Sequence, residues 1–143
     1  MPKQLHTLTV EEVQYIAHRL AKEKLGFNEP IPDFSTRFPG KLESCLATPF
    51  QKFAKKSLYQ GLTRKAAVMF YLMIKNHPFQ NGNKRIAMTS MFVLLYKNKK
   101  WIKVDNQELY NFAVWVAQSN AKLKKQVIDA IEKFFETYIV DFK

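Results

Sequence analysis

Hydrophobic residues recur with helical spacing along almost the whole chain. Val10, Val13, Ile16, Ala17 and Leu20 form one stripe behind Thr9 and Glu12, which have the spacing of a capping box. This predicts a first helix that stops near Gly26. Residues 26–40, "GFNEPIPDFSTRFPG", hold three prolines and two glycines and read as an extended loop. "KLESCLATP" predicts a short helix, and Pro49 is placed to start another over "PFQKFAKKSLY". "TRKAAVMFYLMIKN" has almost no polar position between Ala66 and Ile74, and "NKRIAMTSMFVLLYKNKK" behaves the same way. Helices apolar on all sides are buried ones, so these two are expected at the centre. Asp105 and Glu108 predict a capped helix over "NQELYNFAVWVAQ". Asn120 predicts the start of a last helix with the stripe Leu123, Val127, Ile131, Phe134 and Tyr138. "KWIKV" alternates weakly and reads as a short strand or a loop. The expected class is all-α, a helical bundle around two buried central helices.

Composition narrows the setting. The 143 residues, 47% of them apolar, are expected to form one domain over 1–143. No apolar run reaches the roughly 18 residues of a membrane span. The opening "MPKQLHTLTVEEVQ" lacks the apolar core of a signal peptide. Cys45, the single cysteine, cannot form an intrachain disulfide, which fits a reducing compartment. A cytoplasmic protein is therefore expected. The net charge of +11 fits either a well-solvated surface or attraction to an acidic partner. Direct nucleic-acid binding is the less expected use of that charge.

Between the two central segments lies a polar loop, "NHPFQNGNKR", residues 76–85. Gly82 permits a positive φ or the close approach of a ligand. The second helix begins near Asn83, so its free N–H groups face the loop, and a helix N-terminus behind a glycine suits an anion. Lys84 and Arg85 add two cations there, Arg with a fork that fits a phosphate. His77 can take a proton near neutral pH. Phe79 is expected to anchor the loop to the core. A base beside a phosphate pocket is the minimum apparatus for transferring part of a nucleotide to a hydroxyl. Cys45 sits among apolar residues and reads as a packed thiol. His6, His18 and His77 lack metal-site spacing. No P-loop or Rossmann glycine pattern is present.

"HPFQNGNKR" resembles the Fic/Doc signature H-P-F-x-[DE]-G-N-[GK]-R and departs from it only at Asn81. "LTVEEVQYIAHRL", "FPGKLESCLATPFQ" and "KAAVMFYLMIKN" are similar to the segments that precede the motif in death-on-curing (Doc) proteins. The resemblance implies the following roles. His77 is the catalytic base, and Phe79 holds the loop. Gly82 and Asn83 surround the nucleotide phosphates, and Arg85 pairs with one. Lys84 fills the slot that is glycine in AMP-transferring members and lysine in Doc. Doc transfers the terminal phosphate of ATP to a threonine of elongation factor Tu and halts translation. Met88, where many AMP-transferring members carry a second arginine, points the same way. The usual Asp or Glu at 81 contributes to Mg²⁺ binding, and Asn81 offers only a neutral oxygen for it. The resemblance thus implies a Doc-like toxin kinase using ATP and Mg²⁺, restrained by a separate acidic antitoxin, since no internal inhibitory motif is found. The alternatives are an AMP-transferring Fic enzyme and a Fic/Doc-fold binding protein impaired by Asn81.

Overall fold

The computed structural model describes residues 4–25 and 30–142. Helix α1 opens at the expected capping box. Glu12 N donates to Thr9 Oγ1 at 3.2 Å, and Thr9 N donates to Glu12 Oε1 at 2.9 Å. The helix runs as Val10–Glu12, a π-helical Val13–Ala17, and His18–Lys24. The wider π turn changes which side chains face inward. Val13, Ala17, Ala21 and Leu25 are buried at four-residue spacing, while Ile16, expected in the stripe, is 43% exposed. The helix ends at Lys24, and the expected stop at Gly26 falls outside the described residues. The rest of the expected loop is partly ordered, with a 3₁₀ turn at Phe34–Thr36.

Helix α2, Pro39–Ala47, begins two residues earlier than expected, with Pro39 in its first turn. Its inward residues are Leu42, Cys45 and Leu46. The helix expected from Pro49 does not form. A 3₁₀ turn, Thr48–Phe50, leads instead to a hairpin of β1, Lys52–Phe53, and β2, Lys56–Ser57. Ala54 and Lys55 both take positive φ at its tip, as the tight hairpin turn requires. The segment has no continuous apolar face to bury as a helix: Phe53 is 75% exposed and Leu58 52%. The buried Lys65 ammonium holds its far end by donating to the Tyr59 carbonyl.

The two apolar segments form α3, Leu62–Lys75, and α4, Asn83–Lys97. Every residue from Lys65 to Ile74 is buried. Helix α4 lies against α3 and α1, and the Thr89 hydroxyl of α4 donates to the Ala17 carbonyl of the π turn at 2.7 Å. Two further helices complete the core: α5, Asn106–Gln118, and α6, Lys124–Tyr138. Asp105 caps α5, but only half of the expected box forms, because the Glu108 carboxylate accepts from the Tyr138 hydroxyl instead. Asn120 caps the 3₁₀ turn Ala121–Leu123 ahead of α6. The buried face of α6 is Val127, Ile128, Ile131 and Phe135, so the expected Leu123, Phe134 and Tyr138 lie at its margin. Phe135 packs edge-on against Phe70 of α3, with centroids 5.3 Å apart. "KWIKV" does supply a strand, β3, Lys100–Ile102, antiparallel to β4, Ile139–Asp141. The class is all-α, with the two buried helices central and the polar loop between them. Among the described residues, no helix is long and apolar enough to cross a membrane.

Candidate active site

The loop is held at each of its turns. Helix α3 stops at Lys75, whose ammonium donates to the carbonyls of Ala117 at 3.2 Å and Ser119 at 2.5 Å, at the end of α5. His77 takes a left-handed φ of 50°, and Pro78 cannot continue the helix. Histidine is among the non-glycine residues that enter this region most readily. Its ring is exposed. The Pro78 carbonyl accepts from Phe38 N at 2.8 Å, which ties the loop to the chain entering α2. Phe79 is 1% exposed, and its ring packs against Phe34 and His18. His18 is itself held by the Pro32 carbonyl, 2.9 Å from its Nε2.

Gly82 has φ 74° and precedes α4 with no capping side chain. A β-carbon at this position would lie 3.0 Å from Ile31 Cγ1, so both the backbone angle and the packing call for glycine. Asn81 is exposed, and its Oδ1 accepts from Gly82 N at 2.9 Å. Asn83 is buried and turns back over the loop. Its Oδ1 accepts from Phe79 N, and its Nδ2 donates to the Phe79 carbonyl, both at 2.9 Å. The same Nδ2 lies 3.3 Å from His77 Nδ1. Lys84 is half-buried. Arg85 is 4% exposed, and its Nη1 donates to the Leu25 carbonyl at 3.4 Å, toward the end of α1. Met88 is fully buried.

The structure therefore brings Asn83 into contact with both His77 and Phe79 and sets Gly82 just ahead of the first turn of α4, which carries Lys84 and Arg85. His77 also lines an open cleft of about 480 Å³ with Gly40, Lys41, Ser44, Lys75 and Asn76. Lys41, Ser44 and Lys75 are lining residues outside the polar loop's own motif. Their signal was positional: Lys75 ends the helix leading into the motif, and Lys41 and Ser44 lie in the "FPGKLES" stretch. Lys41 adds a cation to this cleft beside His77, whereas the Lys75 ammonium is engaged by the carbonyls at the end of α5. Cys45 is no rival nucleophile, because burial pushes its thiol up to about 11. Magnesium usually takes one or two carboxylates from a protein and completes its shell with substrate phosphates and water, so the described residues need supply only part of a site. No group of three or more His, Cys, Asp or Glu among them is placed to hold an ion. Asn81 contributes one neutral oxygen, already engaged by Gly82 N–H.

A family model described as the Fic/DOC family matches residues 7–95, more than half of the chain. The chain belongs to the Fic/DOC family. No curated protein and no solved structure gives a match. The Fic/DOC match takes in α1 to α3, the hairpin, the whole loop and nearly all of α4, and leaves β3, α5, α6 and β4 beyond it. Fic/DOC membership puts nucleotide-dependent modification of proteins as the general class of activity.

Proposed function

We propose that this protein transfers the terminal phosphoryl group of ATP to a serine or threonine hydroxyl of a protein target, as a Doc-type toxin. The observation that carries this reading is the placement of exposed His77 ahead of α4. It sets the imidazole at the head of an uncapped helix whose first turn carries Lys84 and Arg85. In the proposed step the target oxygen attacks the γ-phosphorus while His77 takes the hydroxyl proton. The bond from that phosphorus to the bridging oxygen breaks, and ADP leaves with the electron pair. Such transfer depends on positioning and charge stabilisation more than on covalent chemistry. The Doc-type choice over AMP transfer is supported by Lys84, which adds charge and bulk on the first turn of α4. It is also supported by Met88, a buried apolar residue where many AMP-transferring members carry a second arginine.

The proposed setting is the cytoplasm, with elongation factor Tu as the candidate target. A separate acidic antitoxin is the proposed restraint on a chain of net charge +11. The second reading is a binding protein that has lost catalysis. The observations in its favour are the neutral Asn81 and an Arg85 guanidinium already engaged with Leu25.

ATP labelled separately at the α- and γ-phosphates, incubated with the protein in a bacterial lysate, distinguishes these readings. The kinase reading expects γ-label on one protein and none with His77→Ala. Transfer of the α-label would assign AMP transfer instead. Transfer of neither label would favour the binding protein.

A further inference from the structure

Asn83 has one acceptor oxygen and one amide nitrogen carrying two hydrogens. Its orientation follows from the Phe79 backbone. An N–H group needs the oxygen, and a carbonyl needs the nitrogen, and Asn83 meets both at 2.9 Å. The nitrogen is therefore the atom that lies 3.3 Å from His77 Nδ1. An amide nitrogen only donates, so His77 Nδ1 must present its lone pair to it. A neutral imidazole with a bare Nδ1 carries its proton on Nε2.

We infer that Asn83 is the positioning residue of His77, holding its imidazole in the Nε2–H tautomer. Both hydrogens of the Asn83 amide are used in this arrangement, one on Phe79 and one on His77. None is left for a phosphate oxygen, so anion binding at this turn falls to backbone N–H groups and the cations rather than to the carboxamide. The exposed Nε2 is a donor in this state. It accepts a proton from a target hydroxyl only after Asn83 releases Nδ1 and the ring proton passes from Nε2 to Nδ1 through solvent. That exchange leaves the ring neutral and needs no other reactant. This consequence for catalysis rests on the proposed role of His77 as base, whereas the tautomer does not.

Nitrogen-15 NMR of histidine-labelled protein, at a pH high enough to keep the ring neutral, reads the tautomer without substrate. The wild-type His77 signal is expected to show protonated Nε2 and bare Nδ1. Asn83→Asp keeps an acceptor for Phe79 N–H, gives up the donor to the Phe79 carbonyl and turns an acceptor toward His77. It is expected to move the ring proton to Nδ1, with circular dichroism confirming the fold. A wild-type His77 protonated on Nδ1 overturns the inference, and so does a folded Asn83→Asp protein that keeps Nε2–H. Loss of label transfer in His77→Ala is a separate result, so the base assignment and the tautomer assignment fail independently.

Discussion

The Thr89 hydroxyl donates to the carbonyl of Ala17 across 2.7 Å, joining the central helix α4 to the π turn of α1. Both groups are buried. Thr89→Val keeps the shape and removes the donor. The Ala17 carbonyl lies within a helix, so the change removes one added hydrogen bond, worth about 0.5–1.5 kcal/mol. Urea unfolding is expected to show a lower midpoint with an unchanged slope, and Thr89→Ser is expected to recover most of the loss.

Gly82→Ala is expected to destabilise the protein by about 1–2 kcal/mol from backbone strain alone. The contact 3.0 Å from Ile31 adds to that cost. Gly40→Ala is the comparison: it lies inside α2 with nothing within 4 Å of the added carbon. It is expected to be neutral or to stabilise by up to about 1 kcal/mol. Thermal unfolding of the two variants side by side checks the difference.

Acid should weaken the tie between α1 and α4. Partial burial pushes the Glu12 carboxyl up, but hydrogen bonds from Lys97 and Thr9 and the Lys97 charge together hold it below its ordinary value of 4.5. Lys97 Nζ is 2.6 Å from Glu12 Oε1. The folded state binds this proton less tightly than the unfolded state, so the contribution is present above about pH 4.5. It is lost as pH falls through the lowered folded value. Glu12→Gln is expected to cost about 0.5 kcal/mol at pH 7, as a partly exposed pair should. Stability curves of the two proteins are expected to converge at acid pH, and a gap that persists there would assign the loss to the cap instead.

Asn81→Asp puts a carboxylate where the neutral amide now accepts from Gly82 N–H. Carboxylates hold hard cations better than amides do. Label transfer by this variant is expected to reach half its maximum at a lower magnesium concentration than in the wild-type protein. An unchanged magnesium curve would show that position 81 does not meet the metal.

The central helices were legible because nearly unbroken apolar runs, Ala66–Ile74 in the first of them, leave little room for another reading. The capped starts at Thr9 and Asp105 were legible because their partners lie within one turn. Features set by distant residues were not legible. The π turn that displaces Ile16 is met by Thr89, 72 residues away from Ala17. The hairpin after Phe50 is pinned by a lysine in a later helix, and "PFQKFAKKSLY" does not reveal that partner. The loop showed the same division. Its residue types pointed to a base beside an anion pocket, but nothing in "NGNKR" says that the Asn83 amide turns back to Phe79 and His77. Nor does it say that Arg85 points toward Leu25.

The Lys75 ammonium, two residues before His77, is anchored on carbonyls at the end of α5, beyond the family match. The same helix is clasped further along by Asp129 and Glu132 of α6 through Arg64. The C-terminal third thus works as an abutment for the arm that carries the imidazole. Grafting the loop into another scaffold, or trimming the chain behind α4, would keep every residue of the motif and lose the masonry that aims it.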